Sequence, residues 1–196
     1  MKLLVATTNK GKIYEYRYIL SKVASREVVF LDQLPSIEDP IEDGDTYQAN
    51  ALIKANYYFD KFGIPVIADD SGVEIDALGG KPGVHTARYL PEYNNDGKFG
   101  KLHNLLMEAA PNKTKFEAKF FCCIAYKDKD QTKSFLAAEK GYITFPARGT
   151  NNHKYGYDPV FEIKDLGITL AEMTLEEKLE HSPRIFAAKK FLNWYS

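Results

Sequence analysis

The chain has 196 residues, enough for one sizeable domain, and its 44% hydrophobic and 27% charged residues are ordinary for a soluble globular protein. Its net charge of −1 argues against bulk binding of nucleic acid, so any site for a polyanion must be a local basic pocket. The only two cysteines, Cys122 and Cys123, are adjacent and fit neither a disulfide framework nor a CxxC metal pair, which favours packing residues in a reducing compartment.

The chain opens with a short apolar run, residues 3–7, which predicts a buried strand. The run is too short for the core of a signal peptide, and no run in the chain approaches membrane-spanning length, so we expect a cytoplasmic protein without a membrane partner. A helix is predicted from about Lys10, with Asn9 as its N-cap. Lys10 and Lys12 in its first turn oppose the helix dipole, and a bound anion would resolve that conflict. Lysines extended into solvent are the alternative.

A second short strand is predicted at residues 28–31, followed by an acidic loop at residues 38–45. The spacing of its carboxylates is not that of an EF-hand, and a solvated loop is the commoner explanation. The functional hypothesis sends Glu42 to share a divalent cation with Asp70, while Lys54 faces the phosphates that the cation neutralises.

The next helix is predicted over residues 46–62, with Asp45 and Gln48 as a pair resembling a capping box. Asn50 and Lys54, at i and i+4, share one of its faces. Its predicted core stripe is on another face and consists of Leu52, Ala55, Phe59 and Phe62.

Two adjacent carboxylates, Asp69 and Asp70, follow a predicted buried strand at residues 64–68. Such a pair is costly to desolvate, and a divalent cation is the simplest compensation. Ser71 and Gly72 are expected to form a tight turn, in which glycine permits a positive φ. An ordinary surface turn is the alternative explanation for these four residues.

The remaining elements follow from local patterns, and no repeat or linker divides the chain, which predicts a single domain over residues 1–196. The alternating strand at 116–126 is expected to be covered on both faces for part of its length. The terminal helix is expected to begin at Ser182 and Pro183. The other predicted elements are a turn-rich loop at 78–83, a helix at 99–109, a turn at 128–131, strands at 134–138, 141–145 and after residue 158, and a brief helix at 175–179.

The loop around Gly156 contains two tyrosines that could stack a nucleobase and an aspartate that could accept hydrogen bonds from ring N–H groups. These residues are Tyr155, Tyr157 and Asp158. A packed turn is the alternative. Lys178 and Arg184 place two cations near the start of the terminal helix, where arginine suits planar recognition of an oxygen-rich partner. A surface charge pair is the alternative there.

Taken together and in order, these stretches resemble the inosine/xanthosine triphosphate pyrophosphatase family, whose members remove non-standard purine nucleotides. Each motif is weak alone, and the combination is highly specific because it spans nearly the whole chain. The motifs are ATTNKGK at residues 6–12, NALIKA at 50–55, ADDSG at 68–72, LGGKPG at 78–83, ARY at 87–89, YGYDP at 155–159 and KLEHSPR at 178–184.

The resemblance implies an α/β fold, with a long curved mixed sheet and flanking helices in two lobes around a central cleft, and it implies a homodimer. The implied reaction is the Mg²⁺-dependent hydrolysis of ITP, dITP or XTP to the monophosphate and pyrophosphate, which cleanses the nucleotide pool. One alternative is a related Maf-type pyrophosphatase acting on other modified nucleotides. Another is a nucleotide-binding sensor with little turnover.

The resemblance also implies roles for particular residues. Asp70 would activate the water and help to hold the metal, for which Glu42 is the expected second ligand. Tyr155 would stack on the base, with Asp158, Lys178 and Arg184 near the purine edge. The full set expected to bind substrate is Thr7, Thr8, Asn9, Lys10, Gly11, Lys12, Lys54, Ser71, Tyr155, Gly156, Tyr157, Asp158, Lys178, Pro183 and Arg184.

The chain departs from the family pattern at Pro183. The family typically has Ser-His-Arg before the terminal helix, and this chain has Ser182-Pro183-Arg184. Proline supplies neither an imidazole nor a backbone N–H. We therefore expect weaker discrimination between inosine and adenine-type bases, unless His181 compensates. Thr86, where the family usually has serine, keeps the hydroxyl.

Overall fold

The computed structural model describes residues 2–21, 27–89, 97–149 and 156–195, with only the backbone at residues 87, 88, 97 and 98. The strands are β1 (Lys2–Val5), β2 (Glu27–Phe30), β3 (Val66–Ile75), β4 (Lys115–Lys127), β5 (Thr132–Thr144) and β6 (Phe161–Ile163). The helices are α1 (Lys10–Leu20), α2 (Tyr47–Phe62), α3 (Thr86–Tyr89), α4 (Gly97–Ala109), α5 (Leu175–His181) and α6 (Pro183–Tyr195). Short 3₁₀ turns occupy Leu31–Gln33, Asp76–Leu78 and Gly83–His85.

The six strands form one mixed sheet in the order β2-β1-β3-β4-β5-β6. Strand β1 runs parallel to both β2 and β3, whereas β5 and β6 are antiparallel. The expectation of an α/β fold with a mixed sheet is confirmed. Because β1 and β3 are parallel neighbours, the residues that follow β1 lie level with residues 68–70 of β3. The register pairs Leu4 with Val66 and Val5 with Ile67.

The chain forms two compact units, each assembled from separate segments. Unit 1 contains residues 1–70, 122–137 and 184–196, and unit 2 contains residues 71–121 and 138–183. The core of unit 1 includes the fully buried side chains of Leu4, Ala51, Ile67, Ile124 and Phe191. The core of unit 2 is an apolar cluster that includes Val73, Ile75, Leu102, Leu106, Phe116, Tyr157 and Phe161. The expectation of a single domain stays a prediction.

The helix starts at Asn9 and Pro183 are confirmed. The Asn9 side chain accepts hydrogen bonds from the backbone N–H groups of Gly11 and Lys12, and α6 begins at Pro183. Strand β4 is also confirmed. Burial alternates with exposure over residues 115–119, and residues 122–126 are all buried because both faces of the strand are covered there. Both cysteines are buried free thiols, as their packing role predicts.

The turn predicted at Ser71 and Gly72 is wrong. Strand β3 continues through both residues to Ile75, and Gly72 is not among the glycines with positive φ. The physical reason is that Val73 and Ile75 are fully buried in the core of unit 2, so the strand continues past the polar residues. The Asp-Asp pair therefore lies inside a strand.

The two strands predicted at 134–138 and 141–145 are one continuous strand, β5. Gly141 is a strand residue, and its lack of a side chain has a packing reason. A Cβ at this position would stand 2.2 Å from the carbonyl oxygen of Glu162 in β6. Glycine here permits close approach of two strands and does not end the strand.

The start and the buried face of α2 also differ from expectation. Its N-cap is Thr46, whose side chain accepts a hydrogen bond from the N–H of Ala49, so the capping pair of Asp45 and Gln48 is wrong. The buried residues of α2 are Tyr47, Asn50, Ala51, Ala55 and Tyr58, and of the predicted stripe only Ala55 is among them. The buried face of α2 differs because it includes Asn50, which is buried through polar contacts, and hydrophobic periodicity does not detect such a residue.

No helix in the described ranges has the length and apolar character needed to cross a bilayer.

Candidate active site

The turn between β1 and α1 places the Lys12 side chain next to Asp69. The Asn9 carboxamide oxygen accepts from the N–H groups of Gly11 at 2.9 Å and Lys12 at 3.2 Å, and the Thr7 hydroxyl oxygen accepts from the N–H of Asn9. The Lys12 ammonium then lies 2.9 Å from a carboxylate oxygen of Asp69. The Asp69 carboxylate of β3 thus pairs with the positive charge of Lys12, for which a bound anion was expected. Thr8, Asn9 and Lys10 are exposed beside it.

Asp69 is held inside unit 1 by cations on two sides. Besides Lys12, Arg184 donates its Nε to Asp69 at 3.3 Å, and Nη1 of the same guanidinium donates to Glu15 at 2.7 Å. The Cys122 thiol donates to the same carboxylate at 3.7 Å. Burial by itself raises the pKa of Asp69, but Lys12 and Arg184 outweigh it and bring the pKa below 3.8. Asp69 is therefore ionised and held in place by its two cationic partners.

Asp70 has a different environment, because successive side chains of a strand point to opposite faces of the sheet. One carboxylate oxygen accepts a hydrogen bond from the Asn50 amide at 3.2 Å, and the other lies 3.7 Å from the Lys54 ammonium. Burial raises the pKa of Asp70, and the charges of Lys54 and Lys12 offset only part of that effect. Asp70 is thus the carboxylate of the pair that is better suited to accept a proton.

Lys54 joins the acidic loop to Asp70. Its ammonium lies 2.7 Å from a carboxylate oxygen of Glu42, so Glu42 and Asp70 both contact Lys54, and the divalent cation that they were expected to share stays a prediction. Burial lowers the pKa of Lys54, but Asp70, Asp69 and Glu42 together raise it above 10.5. Lys54 therefore stays protonated between them. No group of three or more His, Cys, Asp or Glu residues suited to a metal occurs in the described ranges.

Asn50 and Glu15 belong to this network and were absent from the predicted site. Asn50 is buried, donates to Asp70, and accepts from the N–H of Gly44 at 2.8 Å, which also holds the acidic loop. Its i, i+4 relation to Lys54 was the available signal. Glu15 is buried against Arg184, and the only signal for it was an acidic residue one helical turn after Lys12.

In unit 2, Asp158 and Lys178 form an ion pair of 2.6 Å, and both side chains are almost fully buried. The structure therefore brings these two predicted residues together. Tyr157 is 2% exposed and belongs to the core of unit 2. Its ring is therefore not exposed for stacking on a base, as the sequence had suggested that it could be. Gly156 is exposed at a φ of 57°, and Tyr155 lies outside the described residues.

The other predicted residues keep their roles as predictions. Arg184 directs its hydrogen bonds to Glu15 and Asp69, and a place for it at the purine edge stays a prediction. Ser71 is half-buried in β3, and Pro183 is buried at the first position of α6.

Comparisons with known proteins match the chain along almost its whole length. The model of the Ham1 family matches residues 3–194. A dITP/XTP pyrophosphatase of Halalkalibacterium halodurans is 41% identical over 193 residues, covering 97% of both chains. One from Listeria monocytogenes is 39% identical over 191 residues, covering 96% of this chain and 92% of the relative. Among solved structures, the Ham1 protein of Staphylococcus aureus aligns with a TM-score of 0.83 at 31% identity and covers 100% of this chain and 97% of its own.

Proposed function

The chain belongs to the Ham1 family, and from this premise we propose that it hydrolyses dITP, ITP and XTP to the monophosphate and pyrophosphate. The proposal is supported by relatives about 40% identical whose names specify dITP and XTP as substrates. These relatives are covered over nearly their entire length, so the whole reaction can be transferred and not only one module.

The observation that carries the proposal is Asp70, a buried carboxylate of raised pKa between a lysine and an amide. In the proposed reaction a water oxygen attacks the α-phosphorus, Asp70 takes the water proton, and the bond to the bridging oxygen of pyrophosphate breaks. Lys54 and Lys12 neutralise the phosphate charge that develops as this bond breaks. Hydrolysis of this kind needs a positioned base and charge neutralisation more than a covalent nucleophile.

We propose Mg²⁺ as the cofactor. The residues present fit this ion. Glu42 and Asp70 each direct a carboxylate oxygen at the Lys54 ammonium, so the two carboxylates share one cationic partner. Mg²⁺ is typically held by one or two carboxylates together with substrate phosphates. These two residues would hold the ion, which would neutralise phosphate charge when bound. Lys54 would remain beside them as a second cation facing the triphosphate.

A homodimer and a cytoplasmic location complete the proposal. The homodimer is supported by the resemblance to nucleotide pyrophosphatases, and the location by two free thiols buried in the fold. Gel filtration with light scattering measures the first.

The proposed reaction is tested with a nucleotide panel containing ITP, dITP, XTP, ATP and modified pyrimidine triphosphates. Pyrophosphate release from ITP, dITP or XTP in the presence of Mg²⁺ is the expected result. Orthophosphate as the first product would contradict the reaction, and a preference for modified pyrimidines would favour a Maf-type enzyme. Tight ITP binding without turnover would favour a sensor.

We expect Pro183→His to raise the preference for ITP over ATP. The substitution adds a hydrogen-bonding imidazole and a backbone N–H to the segment that the family uses for the base. One added hydrogen bond is worth about 0.5–1.5 kcal/mol, or about a 2–13-fold change in the ratio of kcat/KM values. The same nucleotide panel measures it, with wild type in parallel. An unchanged ratio would show that Pro183 does not set base specificity.

We expect kcat/KM for ITP to fall on acidification with an apparent pKa above 3.8, because burial raises the pKa of Asp70. The ionised, proton-accepting form exists above that pKa and is lost as the pH falls through it. Thermal melting at each pH separates this loss from acid unfolding. An acid limb at or below the ordinary range of aspartate would show that Asp70 does not limit the reaction.

A further inference from the structure

Four side chains of α2 contact the acidic loop along one side of the helix. Asn50 accepts from the N–H of Gly44, Lys54 pairs with Glu42, the Tyr57 hydroxyl donates to the carbonyl of Glu38, and the Tyr58 hydroxyl donates to Asp39. Positions 50, 54, 57 and 58 follow the i, i+4, i+7, i+8 pattern of a single helical face. The loop is therefore attached to α2 at four successive points.

Tyr58 makes the shortest of these four hydrogen bonds. Its side chain is 2% exposed, and its ring packs edge-on against Tyr57 and stacks with Phe62. The hydroxyl lies 2.5 Å from a carboxylate oxygen of Asp39. A hydrogen bond to a charged acceptor is stronger than one between neutral groups, and here the donor comes from a ring that packing holds in place.

The segment from Asp39 to Glu42 lies at the surface and is linked to α2 through its two acidic side chains. Ile41 is 81% exposed, so the segment does not bury its one large apolar side chain. Pro40 restricts the backbone between the two acidic residues. Fixing Asp39 therefore limits the positions open to Glu42, which reaches Lys54 from the same segment.

We propose that Tyr58 is a positioning residue, which acts through Asp39 to hold the acidic loop on α2 and so places Glu42 next to Lys54 and Asp70. The inference rests on the proposed function, in which Glu42 and Asp70 hold Mg²⁺. Burial, and to a smaller extent the hydrogen bond to Asp39, raises the pKa of Tyr58 above 10. The hydroxyl therefore remains a donor throughout the working pH range.

The test compares Tyr58→Phe, Asp39→Ala and the double variant with Tyr18→Phe, which removes a hydroxyl from the surface of α1. Replacing a group behind a metal ligand costs about 10–100-fold in metal affinity, and because Tyr58 acts through Asp39 we expect about tenfold. The expected result is a rise of that size in the Mg²⁺ concentration giving half-maximal pyrophosphate release, with kcat at saturating Mg²⁺ within about twofold of wild type. The double variant should be no worse than either single one, because both remove the same contact.

Amide hydrogen exchange gives a readout that does not depend on activity. Residues 38–45 should exchange faster in Tyr58→Phe and Asp39→Ala, while α1 is unchanged and Tyr18→Phe matches wild type. An unchanged Mg²⁺ midpoint in an active enzyme, additive effects in the double variant, or unchanged exchange would each overturn the positioning role. If wild type releases no pyrophosphate, the proposed function fails and the exchange experiment alone decides whether Tyr58 holds the loop.

Discussion

Asp70→Asn is expected to lower kcat/KM for ITP by about 10²–10⁴-fold, the range for loss of a general base, while the protein stays folded. Asparagine keeps the size of the side chain and can still accept from Asn50, but it cannot take the proton of the attacking water. Because the environment of Asp70 raises its pKa, the ionised carboxylate opposes folding at neutral pH. The variant should therefore melt at or above the wild-type temperature although it is inactive.

Asp60→Asn is the matched control, since Asp60 is an exposed aspartate on α2 without a part in the site. It should retain both wild-type activity and melting temperature. Near wild-type activity in Asp70→Asn would remove Asp70 from the reaction, and a large fall in its melting temperature would show that the carboxylate stabilises the fold instead.

Arg184→Met is expected to destabilise the protein by about 3–5 kcal/mol, the range for breaking a buried ion pair by removing one partner. Arg184 is 9% exposed and bridges Glu15 to Asp69, so its loss leaves two buried carboxylates without the guanidinium between them. The lowered pKa of Asp69 means that it contributes stability above its unfolded pKa, which is lost as the pH falls through the folded one. Without Arg184 that contribution should shrink.

Urea unfolding at neutral pH measures the change, with Arg184→Lys as an intermediate variant that keeps the charge but not the planar fork. Lys129→Met is the control, because Lys129 pairs with Asp130 at the surface and exposed pairs contribute little. Its midpoint should match wild type. If Arg184→Met also matched wild type, Glu15 and Asp69 would have enough other partners and the bridge would not be a stabilising element.

Two of the helix starts were predictable, because a cap depends on a few consecutive residues, whereas the cap predicted for α2 was wrong. Asn9 caps α1 and Pro183 begins α6 at the positions that local chemistry indicates. Strand ends were less predictable, since β3 and β5 run through polar residues and glycine that look like turns. The continuation of β3 depends on burial of Val73 and Ile75, which a short window of sequence does not display.

By itself the sequence determined the α/β class, the family, and the short list of residues from which the candidate site is built. The family resemblance already assigned the catalytic role to Asp70, but only the tertiary structure decided the different environments of Asp69 and Asp70. The reason is that the pKa of a buried carboxylate is set by the charges and donors around it, and these come from distant parts of the chain. Lys12 and Arg184, 57 and 115 residues away, keep Asp69 ionised. Asn50 and Lys54 of α2 face Asp70, whose raised pKa suits it to accept a proton.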